Sequence, residues 1–122
     1  MRYLIDTSSL ISLIERRWYD RLLEDERVSE LATLPCVLDE LERLSHKAGT
    51  RARTARAALA FARQTLKTAQ EPAAVSHVDD ALVHAAETHD WGIVSQDHAL
   101  ITTAREKGIP TLTLTRSGTI GD

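Results

Sequence analysis

The chain has 122 residues, long enough for one domain with its own core and short for two. Hydrophobic residues make up 43% and charged residues 27%, a soluble globular balance that argues against a disordered chain. The net charge of −3 names no partner by itself, but the charge is unevenly spread.

In chain order, Tyr3–Ile5 is a short, wholly apolar strand, as suits a parallel sheet covered on both faces. Asp6–Ser9 then supplies helix-start residues, and Leu10, Leu13 and Ile14 follow at helical spacing. A second helical piece runs from Trp18 to about Arg27, and Leu31–Leu34 reads as a strand. Pro35 suits a first helical turn, because its missing N–H is not needed there. The helix it opens carries Val37, Leu38, Leu41 and Leu44 and stops by Gly49. Thr50–Ala69, rich in alanine and arginine, predicts a long helix ended by Pro72. Ala73–Ser76 is a third strand candidate, followed by a helix from Val78 to His89. Trp91–Gly92 reads as a turn, Ile93–Ser95 as a strand and His98–Lys107 as a helix. Gly108–Pro110 stops that helix, Thr111–Leu114 is the last strand, and 116–122 reads as a fraying tail beyond a single domain of residues 1–115. The alternation predicts a three-layer α/β/α sandwich around a mainly parallel sheet. The working crevice of such a sheet lies at the carboxyl ends of its strands.

Asp6 and Asp97 each fall just past a strand, at that edge. Taken singly, each acid has an ordinary explanation. Asp6, Asp79 and Asp97 can cap helices, and Glu40 can be a solvated helix residue. Together they are harder to dismiss. Glu40 shares one helix stripe with Val37, Leu41 and Leu44, and Asp79 begins the face that continues with Leu82 and Ala86. Asp80 leads instead to Glu87 at i+7, a more exposed face. Two like charges about 4 Å apart repel by about 4 kcal/mol at an effective dielectric near 20. A cluster of this kind must protonate, spread or bind cation, and an all-carboxylate donor set suits Mg²⁺ or Mn²⁺ better than zinc.

Four segments, "LIDTSSLI", "PCVLDELERL", "VDDALVHAAE" and "GIVSQDHAL", together resemble the PIN-domain nucleases over nearly the whole chain. The later segments look more like the archaeal and eukaryotic members linked to small-subunit ribosomal RNA processing than like VapC-type toxins. The resemblance implies a metal-dependent endoribonuclease with Asp6, Glu40, Asp79 and Asp97 as catalytic and metal-binding acids, and Asp80 as a second candidate for the third. It also implies Mg²⁺ or Mn²⁺ as cofactor and RNA as substrate. A homodimer is common in the family, and an antitoxin or a ribosome-assembly factor is a partner to look for. Where the family often has asparagine after "DT", this chain has Ser8, which can still orient Asp6; Ser95 is the other serine placed to bond the ligating carboxylates.

From Arg43 to Gln70 the chain has seven Lys or Arg and no acid. Arg43, Lys47, Arg51, Arg53, Arg56, Arg63 and Lys67 are therefore candidates to neutralise RNA phosphates, although a solvated helix surface would read the same. Arg56, Arg63 and Lys67 recur at helical spacing. The other readings to weigh are a catalytically idle scaffold of the same fold and a phospho-receiver domain. The receiver needs a lysine at a late strand end, and Lys107 sits at a helix end instead. His84 and His89, five apart, do not share a helix face for zinc. The lone Cys36 fits a reducing compartment, no run is long enough to span a membrane, and the expected location is cytoplasmic.

Overall fold

The structure is a computed structural model that describes residues 1–70, 77–115 and 120–121. In chain order its elements are β1 (Arg2–Ile5), α1 (Thr7–Arg16), α2 (Tyr19–Glu24), β2 (Glu30–Thr33), α3 (Pro35–Ser45) and α4 (Thr50–Thr65). There follow β3 (Lys67–Thr68), α5 (Val78–His89), β4 (Gly92–Val94), α6 (His98–Glu106), β5 (Thr111–Leu114) and β6 (Ile120–Gly121). Among the described residues the strands form one sheet in the order β3-β2-β1-β4-β5-β6. Every pairing is parallel except the antiparallel one between β5 and β6. Helices α1, α3 and α4 pack on one another, and α5 and α6 pack on each other and on β4 and β5. The expected α/β sandwich with a mainly parallel sheet is the fold observed.

The sequence dictates the central strands directly. Leu4, Ile5, Ile93 and Val94 are completely buried, as strands covered on both faces require. Gly92 begins β4, where the sequence suggested a turn. A Cβ there would overlap the Tyr3 ring and stand 2.9 Å from the Pro110 carbonyl, so β1 can lie against β4 only at a glycine. The turn falls one step earlier, at Asp90, whose φ of 57° closes α5 in the left-handed region.

The long basic helix is shorter than its composition suggests. It ends at Thr65, because Leu66 turns into the core and the backbone of Lys67–Thr68 pairs with Ala32–Thr33 of β2. The Ala69 N–H continues the ladder to the Thr33 carbonyl at 2.8 Å. Lys67 therefore leaves the helix face it was expected to share with Arg56 and Arg63. The strand expected at Ala73–Ser76, and the Pro72 expected to end the helix, lie outside the described residues. So does most of the expected tail, but Ile120–Gly121 forms β6, a pairing that the polar, glycine-containing sequence did not suggest.

Candidate active site

Ile5 of β1 is in register with Val94 of β4, so the residues that follow the two strands emerge side by side. Asp6 is the N-cap of α1, and its Oδ1 accepts the Ser9 N–H at 3.0 Å. Its Oδ2 accepts the Ser95 hydroxyl at 2.7 Å, across 89 positions of sequence. Ser95 Oγ in turn accepts the Asp97 N–H at 3.0 Å. Asp97 is the N-cap of α6, where Oδ1 accepts the N–H groups of Ala99 at 2.9 Å and Leu100 at 3.3 Å. Its Oδ2 makes no hydrogen bond among the described residues. The capping explanation for both aspartates is thus correct and also fixes both carboxylates at the sheet edge.

Gln96, between these two residues, accepts the Ser12 hydroxyl at 2.9 Å and donates to the Leu114 carbonyl at 3.2 Å. It ties the Asp97 loop to α1 and to the end of β5. Nothing in the sequence marked it. Ser9 was missed too, although its position three residues after an N-cap aspartate is the place for a capped N–H. Its hydroxyl is buried without an aligned partner, yet sits close enough to help hold the Asp6 carboxyl down. Ser8, expected to orient Asp6, is exposed, because helical phase turns it outward while Ser9 turns in.

Glu40, half-buried on α3, and Asp79, in the first turn of α5, complete the group. The Asp79 carboxyl is pushed above the ordinary aspartate range, first by partial burial and then by the charges of Asp97, Asp6, Glu40 and Asp80. Four segments far apart in sequence therefore share one field. Asp6, only 5% exposed, is pushed up as well, chiefly by burial and in small part by Asp97, against the hydrogen bonds from Ser9 and Ser95. Asp79 is the member of the adjacent pair that feels all the other acids, and Asp80 stands beside it.

A cleft of about 530 Å³ is lined by Glu40, Arg43, His77, Val78, Asp79 and Asp80. A larger one of about 650 Å³ lies at the opposite edge, beside Tyr3 and Thr111 at strand starts. Its Arg27 is bound to Asp25 at 2.8 Å and its Arg105 to Thr111 at 3.2 Å, so its cations already have anionic or polar partners. Glu40, Asp79 and Asp80 line the smaller of these two clefts.

Among the described residues, no three His, Cys, Asp or Glu side chains close tightly enough to form a metal cage. The donor chemistry nevertheless fits a hard divalent cation. The donors are carboxylate oxygens, and the Asp79 carboxyl, raised first by burial, is raised further by the charges of Asp97, Asp6, Glu40 and Asp80. An ion that keeps part of its water shell needs few direct protein ligands.

The basic segment is divided in its local partners. Arg43 lines the acid cleft. Arg56 donates to the Ser45 carbonyl at 2.7 Å, Arg63 pairs with Glu42 at 3.4 Å, and Lys67 pairs with Glu30 at 3.5 Å. Lys47, Arg51 and Arg53 are exposed. His98 is exposed beside Asp97. Trp18 is a buried packing residue, and Trp91 stacks on His89 with Arg2 over its ring.

No sequence profile of a protein family matches the chain, and no curated protein matches it. Solved structures do. The PIN domain endonuclease Utp24 aligns with a TM-score of 0.80 at 22% identity, over 98% of this chain and 88% of its own. VapBC2 from Rickettsia felis, solved with a DNA fragment from its promoter, aligns with a TM-score of 0.72 at 14% identity, over 94% and 100%. PAE2754 from Pyrobaculum aerophilum aligns with a TM-score of 0.63 at 21% identity, over 91% and 83%. The class is an α/β domain with acids at the carboxyl edge of its sheet. The particular fold is that of the PIN domain, as the sequence resemblance implied.

Proposed function

We propose that the protein is a divalent-cation-dependent endoribonuclease that hydrolyses RNA phosphodiester bonds at the Asp6–Glu40–Asp79–Asp97 cluster. The observation that carries the reading is the field felt by Asp79. Asp6 and Asp97, at the caps of α1 and α6, and Glu40 on α3 all bear on Asp79 of α5, an arrangement costly to the fold and useful to a cation-requiring reaction. Mg²⁺ or Mn²⁺ bound there would polarise the phosphate and lower the pKa of an attacking water. Asp6, Glu40 and Asp97 would hold it, directly or through water, with Asp80 as a further ligand. Hydrogen bonds hold Asp6 at both oxygens and Asp97 at Oδ1, which leaves Asp97 Oδ2 available to a cation. Asp79, whose carboxyl is raised, is suited to orient the attacking water and accept its proton. Ser95 positions both aspartates through one hydroxyl. Arg43, with the exposed Lys47, Arg51 and Arg53, supplies phosphate affinity.

The test is cleavage of single-stranded and structured RNA with Mn²⁺, by the parent and by Asp6→Asn and Asp97→Asn. Both variants are expected to lose at least about a hundredfold in rate; variants as fast as the parent would sink the reading. One observation favours a second reading, a non-catalytic RNA- or partner-binding domain: the acids do not close on an ion in the described geometry. Mn²⁺ raising the melting temperature of the parent and not of Asp97→Asn would decide for the enzyme. The likeness to the endonuclease Utp24 supports cleavage within a strand, and the two roles that the sequence resemblance implies, ribosomal RNA processing and a toxin held by an antitoxin, stand as alternatives. The cellular partner recovered with the protein separates the two.

A further inference from the structure

We propose that Gln96 is a positioning residue for Asp97: its side-chain amide stands in for a rung of the sheet, ties the β4–α6 turn to α1 and β5, and so fixes Asp97 relative to Asp6. This rests on the ribonuclease reading and adds an uncharged residue behind the acids to its machinery.

The ladder between β4 and β5 has a regular spacing. The Ile93 N–H donates to the Pro110 carbonyl at 2.9 Å, and the Ser95 N–H to the Leu112 carbonyl at 3.0 Å. Two residues further along each strand, the next rung would join the Asp97 N–H to the Leu114 carbonyl. Asp97 instead turns away to cap α6, and its N–H donates to Ser95 Oγ at 3.0 Å. A strand that stops short of its neighbour leaves a carbonyl in need of a donor. Gln96 Nε2 supplies one, reaching the Leu114 carbonyl at 3.2 Å. The other end of the same amide accepts the Ser12 hydroxyl of α1 at 2.9 Å, across 84 positions of sequence.

Three consecutive residues therefore gather both aspartates. The Val94 carbonyl accepts the Asp6 N–H at 3.3 Å, Ser95 holds the Asp6 carboxylate, and Gln96 holds the helix that Asp6 caps. Ser12 lies one turn beyond Ser9, whose N–H the Asp6 carboxylate accepts, so the Gln96 bond fixes the same face of α1. On the other side the anchor is β5, which is paired with β4 along one edge and with β6 along the other. Asp97 has one carboxylate oxygen committed to the first turn of α6, so the direction of the other follows the backbone of this turn. Without the Gln96 amide the turn loses its ties to α1 and β5 and keeps the Ser95 bond and the caps of α6. The cations proposed to hold phosphate, Arg43, Lys47, Arg51 and Arg53, lie on α3, on α4 and between them, away from this turn. Loosening Asp97 should therefore slow the reaction without weakening the grip on RNA.

Gln96→Met keeps the length of the side chain and removes both polar ends, whereas Ser12→Ala releases only the amide oxygen. In RNA cleavage with Mn²⁺, well below the melting temperature of each variant, Gln96→Met should lower kcat about tenfold and leave KM within about twofold of the parent. That is the effect of a displacement smaller than the ~1 Å that costs about a hundredfold. Ser12→Ala should lower kcat about threefold, and should add almost nothing in the Gln96→Met background, where its partner is already gone. Amide hydrogen exchange in EDTA reads the same turn without metal or substrate. Exchange at Asp97, Ala99 and Leu100 should quicken about tenfold in Gln96→Met, while Ile93, deeper in the same ladder, keeps the parental rate. A parental kcat, or a kcat and KM that move together, would overturn the proposal. So would exchange quickened equally at Ile93, because a merely structural residue loosens the whole ladder. Full, independent losses for the two substitutions would overturn the bridge to α1. If Gln96→Met does not fold, Ser12→Ala must still lower kcat and quicken exchange at Asp97, and parental values for both would overturn the proposal. If Asp6→Asn and Asp97→Asn cut like the parent, it is the ribonuclease reading that has failed. The exchange pattern in EDTA then decides by itself whether Gln96 holds the Asp97 turn.

Discussion

Ser95→Ala isolates the hydroxyl that joins two distant aspartates. The side chain is fully buried, and alanine fits the space, so no cavity or clash enters. Two bonds are lost. The one donated to the Asp6 carboxylate at 2.7 Å involves a charged acceptor and is worth about 1.5–3 kcal/mol; the one accepted from the Asp97 N–H at 3.0 Å is worth about 0.5–1.5 kcal/mol. The expected loss of unfolding free energy at pH 7.5 in EDTA is therefore about 2–4.5 kcal/mol. Its pH dependence identifies the cause. The Asp6 carboxyl is already raised in the folded parent, so ionising it costs stability as pH rises through its folded pKa. Removing a bond that favours the ionised form raises it further. Protonation then relieves the variant more than the parent, and the gap should narrow between pH 7.5 and pH 5. Urea unfolding at both values measures it. A loss under about 1 kcal/mol, or an equal loss at both pH values, would refute the assignment of this hydroxyl to the Asp6 charge.

Asp79→Asn should stabilise the cation-free protein slightly at pH 7. The raised carboxyl gives its stability below the ordinary aspartate pKa and loses it as pH rises, so the gain should vanish near pH 4; exposure keeps it below about 1 kcal/mol. Thermal melts across pH in EDTA check this, with the Mn²⁺ response reduced in the same variant. Asp25→Asn runs the other way. Hydrogen bonds from Arg27 hold that carboxyl down at about 2, so its contribution is present above pH 4 and lost as pH falls toward 2, and screening limits it to about 1 kcal/mol at most. Parent and variant melts should converge at pH 2. Gly92→Ala should cost about 1–3 kcal/mol in chemical unfolding, since β1 and β4 must part to admit the methyl group at Tyr3. An unchanged midpoint would mean that the strands are not packed as described.

Much of this molecule was legible in short stretches of sequence. The strand at Thr111–Leu114 and the helix at Val78–His89 have the expected bounds, because hydrophobic spacing and the stop signals beside it act over a few neighbours. The aspartates that cap α1 and α6 were legible for the same reason. Tertiary structure decided what those capped carboxylates face. Placing β4 beside β1 sets Ser95 against Asp6, and no local pattern encodes a pairing between strands so distant in the chain. The sheet also overrode the helix preference of Lys67–Thr68, because an edge strand beside β2 offered backbone partners that solvent-exposed helix propensity could not match. Residue types and their order carried the acids to the ends of elements; only the long-range pairing of strands and helices brought Asp6, Glu40, Asp79 and Asp97 into one field.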